Sequence, residues 1–463
     1  MAAEPMISVP LVPLSRLSGD TKKPRRASLA SSSGSGRSRN VTSKPGRLTH
    51  FSVPLLLLLM LASASTAQEA ETQETTREEP ASAEATADEE EEKPPRAYWD
   101  NGLWFRPRYS NFRMKIGGQA QIDTAGFASN DTVPVEFDQS IEWRRARVYT
   151  LGSFGRRWSF KFQWDFADSR SPSLTDAWLQ FGFSVWGRNI RLRSGRFSTT
   201  FGLENDGSSN DFLFMEQGLT SAFVPPQETG VLLHGETPVD RWDFSFSSSA
   251  DELECIICSV TGITGAYTAS IKFGREDRRL HFGFNYSRRW TDEAVNYAER
   301  PESHLAPFFV DTGPVLGERV DAALAEGAYL DGAFSLQSEY AIVRVKRSVL
   351  ESPVFHAYYV AASYALTGEA RPYAESLGTV RRIRPKREMG DGTGGLGAFE
   401  IAGRFSYIDL NDKDITGGKL TDVSLAFNWY PTYPTRVSVN VIRADREAWD
   451  PVWIFQGRLQ LAF

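Results

Sequence analysis

WSFKFQWDF, residues 158–166, alternates aromatic and polar side chains without interruption. Its aromatic residues all carry even numbers and its polar residues all carry odd numbers, so the two kinds fall on opposite faces of an extended chain. A period of two is the pattern of a β-strand whose two faces meet different surroundings. The stretch therefore predicts a strand with one aromatic face and one polar face.

The same alternation recurs along the chain, in RWDFSFSSS (residues 241–249), LHFGFNYS (280–287) and LTDVSLAFNWY (420–430). Few helical patterns are present to cover so many apolar faces, and no apolar run approaches the ~20 residues of a membrane-spanning helix. A closed barrel with lipid outside and water inside would satisfy both faces and leave no sheet edge unpaired. The alternative is a soluble β-sandwich, whose aromatic faces would point into a closed core.

Alternation predicts sixteen strands, at residues 112–123, 141–151, 157–167, 174–184, 190–197, 229–236, 241–249, 266–274, 280–289, 317–327, 332–346, 355–366, 398–408, 420–430, 435–444 and 453–463. An even number is typical of single-chain bacterial barrels, and a barrel this wide keeps an aqueous lumen. Loop 198–228 is too apolar for a solvated loop, so we expect it to fold into the lumen and narrow it rather than pack on itself at the surface. The predicted fold class is all-β, a transmembrane antiparallel β-barrel of about 16 strands with inward-folded loops.

The chain divides into three predicted regions. Residues 1–67 are a basic leader and a signal peptide, because the apolar run FSVPLLLLLMLA is followed by small residues; a membrane anchor is the alternative, but the run is short for a ~30 Å hydrocarbon core. Residues 68–97 carry eleven acidic and three basic residues and predict a disordered periplasmic segment. Residues 98–463 are the expected outer-membrane barrel, with outer-membrane lipid around it.

Bulk charge and cysteine content limit the chemistry. Residues 98–463 carry 40 basic and 45 acidic side chains, so any attraction for anions must come from local placement. Cys255 and Cys258 are expected to form a small loop disulfide or to be idle thiols, since no other zinc ligands or redox fold surround them. We expect no cofactor, no metal site and no nucleic-acid partner.

Two basic clusters are candidates for an anion pathway. The connection 367–397 contains TVRRIRPKREMG, in which Arg381, Arg382 and Arg384 either form a solvated turn or bend into the inner mouth and concentrate anions.

The second cluster, Arg144, Arg145 and Arg147, lies on a predicted strand. Arg145 and Arg147 share a face, whereas Arg144 lies opposite unless a bulge re-aims it. Lumen-facing guanidiniums can replace part of an anion's hydration shell. The alternative is that these arginines pair with lumen carboxylates such as Asp165 or Asp176 and merely neutralise the wall.

In this order, WRRARVYTLGSF, GRFSTTFGLE, GAFSLQSEY, YALTGEARPY and GAFEIAGRFSYIDL resemble the phosphate-selective porin O and P family over about residues 105–463. The resemblance implies a sixteen-stranded, usually trimeric, anion-selective outer-membrane channel with an arginine ladder, inward-folded loops and a lysine cluster at the constriction. By position, Arg144 and Arg145 match the paired ladder arginines. The connection 367–397 matches one that begins TGE-x-R, which adds Arg371 to the candidate pathway.

One departure from the family pattern bears on specificity. After FGLE, phosphate-specific members have lysines, whereas this chain has Asn205, Asp206, Asn210 and Asp211. Anion preference therefore remains expected, while specificity for phosphate is in doubt.

Three functions compete at this point. The first is a passive anion-preferring channel for small hydrophilic solutes, exported by its signal peptide to the outer membrane. The second is a non-selective porin or a structural or adhesive barrel. The third, an outer-membrane hydrolase, is disfavoured because none of His234, His281, His304 and His356 adjoins a motif serine with a matching acid. We therefore predict that the protein is not an enzyme.

Overall fold

The computed structural model describes residues 96–107, 111–130, 133–137, 140–168, 170–185, 188–248 and 261–463. The predicted leader and signal peptide, nearly all of the acidic segment, and Cys255 and Cys258 lie outside the described residues. Among the described residues, no helix has both the length and the hydropathy that crossing a membrane requires.

Within the described residues, sixteen antiparallel strands close into one barrel. They are β1 (Arg113–Ala128), β2 (Ser140–Phe154), β3 (Trp158–Asp165), β4 (Ser173–Val185), β5 (Arg188–Phe197), β6 (Glu228–Glu236), β7 (Asp240–Ser248), β8 (Gly262–Lys272), β9 (Arg278–Trp290), β10 (Arg319–Asp331), β11 (Phe334–Lys346), β12 (Val354–Ala365), β13 (Ala398–Asp412), β14 (Ile415–Tyr430), β15 (Thr435–Arg446) and β16 (Val452–Ala462). Each strand pairs with the next one along the chain, and β16 pairs with β1 to close the sheet. The predicted barrel and its number of strands are confirmed.

The two faces of the wall differ as the alternation predicted. On β3, Trp158, Phe162 and Trp164 point outward and are between 39% and 42% exposed, whereas Lys161 and Asp165 point inward. Aromatic rows on the outside of a closed sheet suit contact with lipid. The soluble sandwich is therefore wrong, because the apolar rows face away from the interior.

The connections differ in length at the two edges of the barrel. At the edge that we call the turn edge, most connections have two to five residues, and the exception is residues 366–397, called the long turn below. Gly332 opens the two-residue turn between β10 and β11 with a φ of 57°, a left-handed conformation that glycine adopts without steric cost. The opposite edge, the loop edge, carries the longer connections, including residues 198–227, called the lumen loop below, and residues 291–318.

A β-hairpin precedes β1 and extends the wall at the turn edge. Its strands Arg96–Trp99 and Leu103–Arg106 pair with each other, and the second also pairs with the start of β1. Beside it, Phe463 and Gly118 exchange backbone hydrogen bonds of 2.9 Å. The ring of Trp99 stacks on the ring of Phe463, with 5.6 Å between centroids. The hairpin therefore covers one end of the seam between β16 and β1.

A hydrophobic core lies inside the barrel near the loop edge. Inward residues of β10–β16 pack there against the lumen loop and residues 291–318, and members of the core include Phe201, Leu219, Phe223, Phe309, Val310, Val315, Leu324, Val343, Val345, Phe355, Ile408, Leu410, Leu420, Ile442 and Ile454. Burial of apolar side chains is the main stabilising contribution to such packing. These contacts confirm the predicted inward-folded loops.

Candidate channel lumen

The lumen loop supplies a folded element of its own inside the barrel. It contains one turn of α-helix, Leu203–Asp206, and a 3-10 turn, Leu219–Phe223. Phe201, Phe214 and Met215 are at most 1% exposed. The apolar composition noted in the sequence therefore fixes the loop against the barrel interior.

Side chains of the wall hold the backbone of the lumen loop. Arg436 donates from Nη1 to the carbonyl oxygen of Phe212 at 2.5 Å and from Nη2 to that of Leu213 at 3.0 Å. Asn428 Nδ2 also donates to the Leu213 carbonyl, at 2.9 Å. Because a buried carbonyl without a partner is costly, these bonds stabilise the loop across the lumen.

A β-bulge lets two consecutive arginines reach one carboxylate. Trp143 and Arg145 face consecutive residues of β1, so Arg144 is an extra residue in β2. Arg144 Nε and Nη2 each donate to a carboxylate oxygen of Glu216 in the lumen loop at 2.8 Å. Arg145 Nη2 lies 3.7 Å from the same carboxylate. The structure thus brings both predicted arginines to the inside, where they share a partner.

Arg458 of β16 completes this cluster. Its Nη2 lies 2.6 Å from a carboxylate oxygen of Asp123 and 2.6 Å from one of Glu216. Burial alone would raise the pKa of Glu216, but the guanidiniums of Arg145, Arg144 and Arg458 outweigh burial and hold that pKa well below its usual range. Three cations therefore meet two carboxylates, which leaves one formal positive charge where the lumen loop joins the wall.

Arg147 forms an ion pair with a lumen carboxylate, as the alternative interpretation of this cluster predicted. Its Nε lies 2.7 Å from the Asp165 carboxylate on the neighbouring strand. Asp176 pairs with Lys161 at 3.0 Å, not with an arginine of β2. This part of the wall is thus lined by matched ion pairs.

The long turn bends into the barrel and meets the lumen loop. Arg371 Nε and Nη2 each donate to a carboxylate oxygen of Glu400 at 2.7 Å. Burial works against the charged form of Arg371, yet Glu400 beside it raises its pKa above the usual range. Arg381 Nε lies 3.0 Å from the Asp211 carboxylate, which also accepts from the backbone N–H of Arg382 at 3.3 Å.

The remaining predicted arginines of the long turn share an aromatic partner. The guanidinium of Arg382 lies 4.4 Å from the centroid of the Tyr433 ring, and that of Arg384 lies 5.2 Å from it. Arg382 is buried, whereas Arg384 is exposed. The dense basic run therefore divides into an inner part, at Arg381 and Arg382, and an exposed part that begins at Arg384.

Four polar residues of the lumen loop stand where the resemblance led us to expect lysines, and three of them have side-chain partners. They are Asn205, Asp206, Asn210 and Asp211. Asn205 Nδ2 donates to the carbonyl of Thr199 at 2.9 Å, and Asp206 Oδ1 accepts from the backbone N–H of Phe201 at 3.0 Å. Asn205, Asp206 and Asp211 thus bond to the protein and bring no cation to the lumen loop, whereas Asn210 Oδ1 is buried with no hydrogen-bond partner among the described residues.

Sequence reasoning missed a group of buried acids on the same loop. Glu204 accepts from the backbone N–H of Gly218 at 2.8 Å and lies 3.5 Å from Arg404. Burial raises the pKa of Glu204 to about 7, against the attraction of Arg404. Burial likewise raises the pKa of Asp206 to about 8, against the attraction of Arg241. The position of Arg404 on the polar face of β13 was the available signal for a buried acidic partner.

Arg193 is a second feature that the sequence reasoning missed. It points inward from β5, and no carboxylate of a described residue lies within 4.0 Å of it. Its Nε and Nη2 donate to Gln180 Oε1 at 3.1 and 2.9 Å, and its guanidinium lies 4.2 Å from the centroid of the Trp178 ring. Neutral groups therefore hold this guanidinium in place, and Asp243 and Asp176 act on it only from a distance. The alternation of RNIRLRSG, which puts Arg193 on the inward face, could have identified it.

The histidines inside the barrel offer the hydrolase hypothesis no support. The two ring nitrogens of His234 lie 2.7 Å from Asp243 and 3.3 Å from Glu236. One ring nitrogen of His281 lies 2.7 Å from the Tyr373 hydroxyl, and the other lies 3.2 Å from a carboxylate. Neither ring has a nitrogen left to activate a serine hydroxyl.

Comparisons with known proteins agree with this architecture. The family model described as phosphate-selective porin O and P matches residues 114–463. Porin O of Pseudomonas aeruginosa is 22% identical over 375 residues, which cover 73% of this chain and 84% of that protein. An uncharacterized protein of Caulobacter vibrioides is 26% identical over 384 residues, which cover 78% of this chain and 73% of that protein.

Among solved structures, the loop L8 deletion mutant of OmpT, an outer-membrane protein of Vibrio cholerae, has a TM-score of 0.50. At 12% identity, with 76% of this chain and 99% of that chain covered, this likeness concerns the fold alone. The family model spans the barrel from the start of β1 to Phe463. The chain therefore belongs to the phosphate-selective porin O and P family.

Proposed function

We propose that this outer-membrane channel is passive and prefers small anions, phosphate among them, over cations. The observation that carries the proposal is the cluster in which Arg144, Arg145 and Arg458 meet only Glu216 and Asp123. Its uncompensated charge lies where the lumen loop narrows the barrel. In a water-filled passage with low-dielectric walls, such a charge raises the local concentration of anions.

Under this proposal, a predicted pathway arginine acts on solutes either by direct contact, if it is exposed, or only through its electric field, if it is buried. Seven arginines were predicted for the pathway. They are Arg144, Arg145, Arg147, Arg371, Arg381, Arg382 and Arg384. The side chain of Arg381 is 36% exposed and Arg384 is also exposed, so these two meet passing solutes directly. The side chain of Arg371 is only 3% exposed, so it positions the long turn and acts on solutes through its field.

General anion preference fits the lumen better than tight phosphate binding. In place of the lysines that the resemblance implies, this chain has Asn205, Asp206 and Asp211, whose side chains bond to the lumen loop or the long turn. Tight capture of phosphate would need several convergent donors that are free to leave their present partners. We therefore expect phosphate to pass as one small anion among others. We further propose that the barrel works as a homotrimer and that its N-terminal signal peptide directs export.

A non-selective porin is the second candidate. Arg147, Arg371 and Arg381 each have a carboxylate partner, and Glu204 and Asp206 add acidic groups inside the barrel. If these charges cancel over the length of the passage, cations and anions cross equally well.

Single-channel recording in a planar bilayer with a KCl gradient separates the candidates. Anion preference gives a reversal potential of the chloride sign, a value near zero indicates a non-selective porin, and no conductance indicates a structural or adhesive barrel. The double variant Arg144→Gln/Arg145→Gln removes two cations and should move the potential toward zero. Arg443→Gln on the outward face of β15 should leave it unchanged. Inorganic phosphate added to the chloride bath should not block the current at low concentration.

A further inference from the structure

Four basic side chains gather on the outward face of β9–β11 at the loop edge. The strand registers place Arg288, Asp321 and Arg344 side by side in one row. They place Trp290, Arg319 and Lys346 in the next row toward the edge. With strands ~4.8 Å apart and rows ~7 Å apart, the six side chains form a compact patch, called the rim patch below.

The rim patch carries an excess of positive charge. Asp321 accepts from Arg288 Nε at 2.7 Å, from Arg319 Nε at 2.9 Å and from the Tyr286 hydroxyl at 2.7 Å. Its carboxylate oxygens are therefore occupied within the patch. Among the described residues, no carboxylate lies within 4.0 Å of Arg344 or Lys346. The patch thus offers unmatched cations beside a tryptophan at the level of the membrane surface.

A groove runs down the wall from the rim patch toward the membrane centre. Ala323, Ala325 and Gly327 of β10 point outward there. They lie between the larger outward side chains of the flanking strands, which are Phe282, Phe284 and Tyr286 on β9 and Tyr340 and Ile342 on β11. A Cβ atom added at Gly327 would meet only the His281 carbonyl oxygen, at 3.8 Å. The floor of the groove is therefore not filled by this chain.

The rim patch differs from the described loop edge of β2–β4 and of β13–β15. At the loop edge of β2–β4 the outward side chains are apolar, as at Ile141, Trp143 and Trp164. On β13–β15, outward cations are matched by acids, as in the pair of Lys419 with Asp409 at 3.2 Å. Neither of these two parts of the loop edge thus carries the excess charge of the rim patch.

We infer that the rim patch and the groove together bind a phosphorylated lipid of the outer leaflet. The long connections mark the loop edge as the outer one in a porin, so the patch lies at the level of that leaflet's headgroups. Arg344 and Lys346 take the phosphate oxygens through charge-assisted hydrogen bonds, and Arg288 and Arg319 add to the field. One acyl chain lies over Ala323, Ala325 and Gly327, where a flat lipid boundary would leave a gap.

Native mass spectrometry of the detergent-solubilised protein tests this inference, with lipid A as the probe. Wild type should retain lipid A and should not retain lipid A whose phosphates have been removed. The variant Arg344→Gln/Lys346→Gln should bind lipid A about 30-fold more weakly, because each cation near the surface contributes about 1 kcal/mol. The matched control Lys419→Gln/Arg443→Gln removes two outward cations elsewhere and should bind as wild type does.

A second variant tests the groove. Ala325→Phe fills the groove but keeps every charge, so it should also weaken lipid A binding. Wild-type conductance in all these variants shows that the barrels are folded, since none of the changed residues faces the lumen. Equal binding of the dephosphorylated lipid, or equal binding by the rim-patch variant and its control, overturns the inference. It is also overturned if Ala325→Phe separates subunits while lipid A binding is unchanged, because the groove is then a subunit contact.

Discussion

Glu204 and Asp206 on the lumen loop are buried, and burial raises their pKa values to about 7 and about 8. A carboxyl group with a raised pKa is neutral below that value and ionised above it. Between about pH 6 and about pH 9 these two groups alone therefore add up to two negative charges to the lumen. Arg404, Glu339 and Glu302 face Glu204, and Arg241, Glu326 and Asp243 face Asp206. We predict that anion preference falls as pH rises, seen as a reversal potential in a KCl gradient that moves toward zero.

The variant Glu204→Gln/Asp206→Asn should weaken this pH dependence, because amides do not titrate in that range. Glu299, whose pKa burial also raises to about 7, keeps part of it. Glu351→Gln changes an exposed carboxylate beyond β11 and should keep the wild-type slope. A wild-type reversal potential that is independent of pH would contradict the prediction.

The lumen loop and the long turn start from opposite edges of the barrel and meet at Asp211. Asp211→Asn removes the charge that holds Arg381 at 3.0 Å and the backbone of Arg382 at 3.3 Å. A hydrogen bond with a charged partner stabilises such a contact by roughly 1.5–3 kcal/mol. We predict a noisier single-channel current and a stronger anion preference, because the contact loosens and the charge of Arg381 is no longer matched.

Asp391→Asn is the matched control for this contact. Asp391 lies in the same long turn and is exposed, and its carboxylate accepts from Thr393. Its variant should keep the wild-type current. The same current noise and reversal potential in both variants would show that Asp211 does not join the two elements.

The strands were predictable because the alternation of apolar and polar residues within each strand reflects its two environments. WSFKFQWDF needs no distant information, since lipid selects one set of side chains and water the other. The ends of β13 and β14 were predicted at residues 408 and 420, although the strands continue to Asp412 and from Ile415. A register shift between Asp409 and Asn411 breaks the alternation there, so the pattern ends before the pairing does.

Partners inside the barrel were not predictable in the same way. The sequence placed Arg145 on one face of its strand and Arg144 on the other unless a bulge re-aims it, and it gave no sign of Glu216, which is 72 residues from Arg144. Their contact depends on a bulge in β2 and on how deeply the lumen loop folds. Neither feature follows from local alternation, which fixes the face of a side chain and not its neighbour across the interior.

At the scale of the whole molecule, a charge added to the outward face of the wall should destabilise the barrel, whereas a charge added to the inward face should not. We predict that Phe162→Arg lowers the free energy of unfolding in a bilayer by about 2–4 kcal/mol, because it places a cation in hydrocarbon. Gln163→Arg, one residue away on the inward face, should cost much less and should alter conductance instead. Urea titration of the protein folded into phosphatidylcholine vesicles measures the difference, and equal losses would contradict the assignment of the faces.

The seam between β16 and β1 joins residues 325 to 343 positions apart, from Trp453 opposite Ala128 to Ala462 opposite Gln119. Contacts so distant along the chain form late, because the entropy of the intervening chain opposes them. Until then the growing sheet has two unpaired margins, each able to capture another extended chain. Closure is a first-order step, whereas capture is second order in protein concentration. Dilution therefore favours closure of the barrel over aggregation, and a high protein concentration in the export compartment favours the reverse.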